Sequence, residues 1–365
     1  MQRQRLVPSD LRALSWTALG MIVATALIFG WKQLPIRDPD YALVGPGWLV
    51  IPMIVVVAVG VDVLGRVALA ALRARLVSES DGPNFAARVR EVWARRWPRD
   101  QRRFLVLGLL GWYLCYSAFR NLKHAVPFVT DRLWDTELTD FDQALFLGNT
   151  PWEVLHQVFG TGAAAYLFST IYVVWIGFVP ISIWWALVWT RARATAAWYV
   201  TALGFGWAFG ALGYFAIPSL GPIYSDPTAF TDLPQTRSAW LAQQLADDRL
   251  AVVPPTGDPH SAHVLQTIAA WPSLHVGIMV IASLIVFSKT RRSWLRASIM
   301  GSLVLTMLAT IYLGWHFTAD VFGGIALGTA AVWLAGRATG NRMRWMPPVT
   351  ADVTIVDRRT DAPAE

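Results

Sequence analysis

Residues 271–275 read WPSLH, and residues 310–320 read TIYLGWHFTAD. Each segment lies at the edge of a long apolar run and carries a histidine there, His275 in the first and His316 in the second. Ser273 and Asp320 accompany the histidines. Ionisable groups at membrane depth are costly and mark functional sites by default, so we expect a polar site where these two apolar runs begin.

The composition of the chain is that of a polytopic membrane protein. Hydrophobic residues make up 55% of it, charged residues 15%, and the mean hydropathy is +0.42. A membrane-spanning helix needs roughly 20 mostly apolar residues, and lipid-exposed strands are not expected. The sequence therefore predicts an all-α polytopic membrane protein with eight spans: Leu14–Trp31, Trp48–Leu64, Phe104–Ala118, Ala163–Thr190, Ala196–Ile217, Leu274–Ser288, Ala297–Gly314 and Phe317–Gly336.

The distribution of basic residues predicts the orientation of these spans. With a cytoplasmic N-terminus, 24 of the 31 Lys and Arg residues fall in inner segments and 7 in outer segments. Both termini are then cytoplasmic, and the net charge of +7 is a topology signal that does not call for a nucleic-acid partner. All six histidines fall on the outer side: His124, His156, His260, His263, His275 and His316.

The chain divides into three predicted parts. Residues 1–103 form two accessory transmembrane helices and a basic cytoplasmic linker, and residues 104–336 form a six-helix catalytic core. Residues 337–365 form a cytoplasmic tail, which we expect to be disordered because it is polar and rich in Pro, Asp, Thr and Arg. The outer loop from Arg120 to Gly162 fits one or two short helices in the headgroup region, whereas the Pro-rich loop from Pro218 to Ala270 is predicted to be largely irregular.

His316, Asp320 and His275 form a plausible phosphoryl-transfer site. His316 and Asp320 are four residues apart, so on a helix the carboxylate can accept a hydrogen bond from one ring nitrogen and leave the other free to attack phosphorus. His275 would be the general acid for the departing oxygen. This scheme requires no metal and no cofactor.

Further residues are candidates for binding the phosphate oxygens. Ser273, Arg120 and Lys123 are predicted at the same outer ends as the histidines. Alternatives stay open, because Ser273 fits an ordinary helix N-cap and the two cations could extend to lipid headgroups. His316 and Asp320 could equally be a structural pair that closes a helix terminus.

The remaining histidines carry weaker signals. His260 and His263 have a possible metal-ligand spacing, but no cysteine accompanies them and the loop is Pro-rich, which favours a solvated loop. His156 is expected to be structural.

The motifs resemble a known family. Residues 272–275, PSLH, followed by His316-x-x-x-Asp320, resemble the second and third motifs of the type 2 phosphatidic acid phosphatase superfamily. Residues 310–324 and the segment PSLGPIY at 218–224 are similar to the branch that contains fungal inositol phosphorylceramide synthases. The resemblance implies a six-helix core, a phosphohistidine on His316 oriented by Asp320, and protonation of the leaving group by His275. It also adds Tyr312 and Tyr224 to the phosphate-binding candidates.

The sequence departs from the phosphatase pattern at two places. Thr310 stands where those phosphatases usually have an arginine six residues before the nucleophilic histidine, and the first Lys/Arg-Pro motif is absent in strict form. Arg120 and Lys123 are the substitutes we consider. These departures disfavour simple monoester phosphatase activity and favour the transferase-like branch.

Three functions remain from the sequence. The first is an integral-membrane lipid phosphotransferase that moves a phosphoryl-headgroup, by analogy phosphoinositol, from a phospholipid or polyprenyl-type lipid to an alcohol acceptor. The second is a lipid phosphate phosphatase, in which water resolves the same intermediate. The third is a non-enzymatic transporter or scaffold. We expect a multi-pass protein of the bacterial plasma membrane with its active site on the extracytoplasmic side, a lumenal site in a eukaryotic membrane being the alternative.

Overall fold

The structure, a computed structural model, describes residues 8–39, 47–76, 84–190, 192–260 and 265–345. It is 78% helical, and no strand occurs among the described residues, which confirms the all-α fold class. The tail from residue 346 onward and His263 lie outside the described residues. The predictions made for them stay predictions.

Thirteen α-helices follow one another in the described chain. They are α1 (Arg12–Lys32), α2 (Gly47–Leu76), α3 (Phe85–Arg96), α4 (Arg99–Val129), α5 (Asp135–Leu145), α6 (Pro151–Phe159), α7 (Ala163–Trp184), α8 (Arg193–Ala216), α9 (Pro222–Ser225), α10 (Arg237–Val252), α11 (Leu274–Lys289), α12 (Ser293–Tyr312) and α13 (Thr318–Thr339). A π-helical turn, Trp185–Trp189, continues α7.

Among the described residues, six helical segments are long and apolar enough to cross a membrane, and the chain is therefore a multi-pass membrane protein. They are Ser9–Lys32, Pro52–Arg73, Ala163–Trp189, Arg193–Ala216, Ser293–Tyr312 and Thr318–Thr339. The other two predicted spans are helical as well. Helix α11 has 16 residues and rises only about 24 Å, which is less than the thickness of the hydrocarbon core. The predicted span Phe104–Ala118 lies inside α4, a 31-residue helix with charged residues towards both ends.

Helices α11 and α13 cross at very short distance because glycines of α13 face the backbone of α11. A Cβ atom added at Gly324 would collide with the carbonyl oxygen of Ser273, and one added at Gly328 would lie 2.5 Å from the carbonyl oxygen of Gly277. Small residues at helix crossings let backbones approach and gain van der Waals contact. The crossing brings the start of α11, with His275, against the start of α13.

We expect Gly328→Ala to destabilise the fold by about 1–3 kcal/mol, because the added methyl group must push α11 and α13 apart. Thermal unfolding in detergent measures this as a lower midpoint. The matched control is Gly301→Ala in the neighbouring α12, where an added Cβ meets nothing within 4 Å. Equal unfolding midpoints for the two variants would show that α11 and α13 have room for a methyl group at position 328.

Helix α1 packs directly on the core helices. The side chain of Leu14 fills the space in front of Gly111 in α4 and Gly204 in α8, where a Cβ atom would lie 3.0 and 2.7 Å from it. In α2, buried Asp62 forms ion pairs with Arg66 on the same helix and with Arg96 at the end of α3. The boundary predicted at residue 103 therefore separates α1 from core helices that it contacts closely. The division into an accessory part and a catalytic core remains a prediction.

The two long loops, Arg120 to Gly162 and Pro218 to Ala270, differ in how well they were predicted. Two short helices, α5 and α6, lie in the first loop, which confirms that part of the prediction. The second loop is less irregular than predicted, since α10 occupies 16 of its residues. The prolines of this loop lie on either side of Arg237–Val252, and the Thr236 side chain caps the helix by accepting a hydrogen bond from the amide of Ala239.

Candidate active site

The candidate site lies where three helix ends meet. Helices α11 and α13 begin there, and the last turns of α4 run past them. The backbone joins the two helix starts directly, because the Ser273 amide donates to the carbonyl oxygen of Asp320 over 2.9 Å. The side chain of Ser273 caps α11, with its Oγ accepting from the amide of Val276 at 3.4 Å. Ser273 therefore has the N-cap role that the sequence left open.

His316 stands between a carboxylate and the second histidine. Its Nδ1 lies 3.2 Å from Oδ2 of Asp320, and its Nε2 lies 3.2 Å from Nδ1 of His275. His316 precedes the first helical residue of α13 by two positions and still reaches Asp320, because Phe317 forms the helix N-cap. Oδ2 of Asp320 also accepts the amide of Phe317 at 2.8 Å, which holds the carboxylate in place.

This arrangement suits a histidine nucleophile. A carboxylate at Nδ1 favours the tautomer with its proton on that nitrogen, so Nε2 keeps its lone pair. His316 is 4% exposed and Asp320 is fully buried. Burial, together with the positive charge of Lys123 nearby, lowers the pKa of His316 below its ordinary value, so the ring is unprotonated at neutral pH.

Aromatic rings hold His275. Its imidazole packs against the rings of Tyr172 and Trp175, with centroid distances of 4.7 and 4.2 Å. Tyr172 in turn stacks on Trp315 at 4.7 Å, and Trp315 directly precedes His316 in the chain. One stack of side chains therefore runs from His275 to Trp315, the residue next to His316.

Of the two predicted cations, Lys123 lies beside the histidines and Arg120 lies next to Lys123. Lys123 is close enough to His275 and His316 to interact electrostatically with both, and its ammonium lies 4.7 Å from the ring centroid of Tyr214. Arg120 is one turn earlier on α4, and its Nε is buried without a hydrogen-bond partner in the described part of the chain. No carboxylate of the described residues lies within ion-pair distance of either cation. A bound phosphate group would supply the missing negative charge.

Two tyrosines were missed in the sequence. Tyr172 contacts His275, and the Tyr214 phenol lies close enough to Asp320 and Arg120 to interact with both electrostatically. Both are buried, Tyr172 in α7 and Tyr214 in α8. Each of these tyrosines could have been noticed because it places a phenol hydroxyl inside an otherwise apolar span. Such a hydroxyl finds a polar partner only if it faces the interior of the helix bundle.

The two tyrosines named as phosphate-binding candidates have their hydroxyl groups elsewhere. The Tyr312 hydroxyl donates to the carbonyl oxygen of Gly160 at 2.6 Å, and the Tyr224 hydroxyl donates to that of Ala242 at 3.3 Å. Both hydroxyls therefore bond loops around the site. Phosphate binding by these two tyrosines stays a prediction.

Other histidines at this end have structural partners. Nε2 of His156 lies 2.8 Å from the carbonyl oxygen of Tyr312, and Nδ1 of His124 accepts the amide of Gln266 at 3.1 Å. His260 contacts the carbonyl oxygen of Gln33 through Nε2 at 3.1 Å. The five described histidines therefore share one end of the bundle, as the basic-residue pattern predicts.

We expect Lys123→Met to move the acidic limb of the kcat/KM profile to higher pH by about one pH unit. The ammonium lowers the pKa of His316, and activity needs the unprotonated ring, so removing the charge lets the ring protonate at higher pH. A pH series of initial rates measures the limb. Lys32→Met, at the end of α1, should leave it in place. An unchanged limb in Lys123→Met would contradict the electrostatic contact.

Comparison with known proteins assigns the family. No curated protein and no solved structure matches the sequence. A family model of the PAP2 superfamily matches residues 136–334, which is more than half of the chain and includes both histidine segments but begins after Arg120 and Lys123. Members of this superfamily are phosphatases and phosphotransferases that act on phosphate esters, and this all-helical membrane protein belongs to it.

Proposed function

We propose that this protein is a membrane lipid phosphotransferase that works through a phosphohistidine on His316. The observation that carries the proposal is the row formed by Asp320, His316 and His275, with 3.2 Å between each pair of facing atoms. The inositol phosphorylceramide synthase-like motifs at residues 310–324 and 218–224 favour transfer of a phosphoryl-headgroup, phosphoinositol being the first to test.

The first half-reaction forms the intermediate. Nε2 of His316 attacks phosphorus, and the bond from phosphorus to the lipid oxygen breaks as His275 gives that oxygen a proton. The Asp320 carboxylate stabilises the positive charge that develops on the His316 ring. Lys123 and Arg120 stabilise the charge on the non-bridging oxygens, which is largest in the transition state.

The second half-reaction returns the enzyme to its starting state. His275, now unprotonated, takes the proton of an acceptor hydroxyl group as the acceptor oxygen attacks phosphorus. The bond from phosphorus to Nε2 breaks, and His316 regains its lone pair. An alcohol acceptor gives a new phosphodiester, whereas water gives a free phosphate ester, so the two candidate enzymes share the first half-reaction.

Burial at the site supports transfer over hydrolysis. Since His316 is 4% exposed and Asp320 is fully buried, few paths lead bulk water to the phosphorus atom. Water exclusion protects a reactive intermediate until a competent acceptor binds. The experiment below separates transfer from hydrolysis by a phosphatase that admits single water molecules.

The orientation in the membrane is part of the proposal. The excess of Lys and Arg at the end of the bundle opposite the histidines supports cytoplasmic termini and an extracytoplasmic site. We propose the bacterial plasma membrane as its location. Cysteine labelling from either side of sealed vesicles tests the orientation at an exposed loop position such as Leu147.

The deciding experiment measures products of the purified protein in phosphatidylcholine vesicles. Phosphatidylinositol labelled in its headgroup, and separately labelled phosphatidic acid, are supplied with and without a long-chain alcohol acceptor. New labelled lipid that requires the alcohol supports transfer, and inorganic phosphate from phosphatidic acid alone supports the phosphatase. A lack of turnover with either donor would leave the transporter or scaffold as the better candidate.

A further inference from the structure

Helix α5 carries two buried carboxylates that no step of the proposed reaction uses. Asp135 is 7% exposed and Asp142 is 0% exposed, whereas Asp140 on the same helix is exposed. Residues seven apart lie on the same face of a helix, two turns from each other. Both carboxylates therefore face the bundle, and burying two of them on one short helix is costly unless they bind donors.

Asp142 binds the backbone at the start of α13. Its two carboxylate oxygens accept the amide hydrogen of Thr318 at 3.1 and 3.0 Å. Thr318 is the first residue of α13, whose early amides have no partner within the helix. This amide lies two residues after His316 and two before Asp320. Asp142 therefore holds the backbone segment that carries both residues.

Asp135 binds the loop that leads to the other histidine. Its oxygens accept the amides of Leu220, at 2.9 and 3.0 Å, and of Gly221, at 2.8 Å. The adjacent Ser219 accepts the amide of Trp271 through Oγ at 3.0 Å and that of Ala270 through its carbonyl oxygen at 2.9 Å. Trp271 opens the segment that ends at His275.

The two held loops also contact each other. The amide of Ile223 donates to the carbonyl oxygen of Gly314 at 2.8 Å, two residues before His316. Helix α5 is thus hydrogen-bonded to both segments, through Asp135 to the loop at residues 220–221 and through Asp142 to the start of α13. Its position sets where the segment of His275 and the segment of His316 stand relative to each other.

We propose that Asp135 and Asp142 are positioning residues, through which α5 aligns His275 and His316 for reaction at one phosphorus atom. The inference rests on the proposed function, because the distance between the two histidines matters only if they act together. A displacement of about 1 Å in a reacting group can cost on the order of 100-fold in rate. The negative charge also suits the partly positive start of α13.

The test compares steady-state kinetics and folding of three variants of the full chain. In phosphatidylcholine vesicles with labelled phosphatidylinositol and alcohol, or with labelled phosphatidic acid, we expect Asp142→Ala to lower kcat by about 100-fold. KM should stay within about threefold, since the cations that bind phosphate are untouched. Asp142→Asn, which keeps one acceptor oxygen, should recover part of the rate. Asp140→Ala, the matched control on the exposed face of α5, should behave as the wild type.

A substitution at the second carboxylate, Asp135, makes the test independent of the stability of any one variant. Asp135→Asn should also lower kcat more than it raises KM. Size-exclusion profiles and thermal midpoints report how much of each protein is folded. An unchanged kcat per folded molecule in Asp142→Ala and Asp135→Asn would overturn the inference, as would a fall that only follows the loss of folded protein.

The outcome also separates this inference from the proposed function. If His316→Ala is inactive while the variants at Asp135 and Asp142 keep the wild-type kcat, only the positioning role fails. If His316→Ala keeps wild-type turnover, the proposed function itself fails.

Discussion

His316→Ala is expected to lower turnover by at least about 10⁴-fold and to abolish phosphorylation of the protein. Removal of the nucleophile leaves only binding and electrostatic stabilisation, which together support a small residual rate. Protein mixed with phosphate-labelled donor lipid and quenched in alkali should retain label if it is the wild type, because the phosphorus–nitrogen bond of phosphohistidine survives base and is broken by acid. The variant should retain none.

The control for this variant is His260→Ala. His260 lies at the same end of the bundle with a largely exposed side chain and has no place in the proposed reaction. It should keep both turnover and labelling. Label that remains in His316→Ala would place the covalent intermediate on another residue, with His275 the first to examine.

Asp320→Asn is expected to lower kcat by between about 10² and 10⁴-fold with a small change in KM. Oδ2 of Asp320 accepts from both Nδ1 of His316 and the amide of Phe317. If the new amide group turns its nitrogen towards His316, the ring must take the tautomer that has no lone pair at Nε2. If it turns its oxygen there, the tautomer is kept but the negative charge that stabilises the phosphorylated ring is lost.

Rapid-quench measurement of phosphoenzyme formation locates this defect. We expect slower formation of the labelled intermediate in Asp320→Asn, since the attacking nitrogen is affected first. Asp131→Asn changes an exposed carboxylate just after α4 and should have wild-type rates. A wild-type rate of intermediate formation in Asp320→Asn would indicate that the His316–Asp320 pair only closes the start of α13.

The catalytic candidates differ in how far the sequence could reveal them. His316 and Asp320 are four residues apart, so their contact is local in sequence, although His316 lies just before α13 and not on it as predicted. Both also interrupt apolar runs where an ionisable group is conspicuous. His275 was visible for the same reason. Its distance of 3.2 Å from His316, however, joins residues 41 positions apart and depends on the glycine-mediated crossing of α11 and α13.

Contacts between residues that are remote in sequence could not be predicted. Asp135 and Asp142 read as ordinary acidic residues of a surface helix, because nothing near them in sequence shows that they accept amides from residues 220 and 318. Tyr312 has a place in the family-like motif, but its hydroxyl group is taken by Gly160 in a loop 152 residues earlier.

The positions of the apolar helices followed from sequence because a bilayer requires a minimum apolar length, a property of contiguous residues. Their number as spans did not, since only six of the eight predicted spans correspond to described helices long and apolar enough to cross a membrane. The uneven distribution of Lys and Arg predicted that the histidines share one end of the bundle, and this distribution is also read from contiguous segments of sequence. The closeness of the two histidines, the aromatic stack beside His275 and the hydrogen bonds from α5 needed the folded bundle. These contacts depend on the distances between helix ends, which are set by packing among residues far apart in the chain.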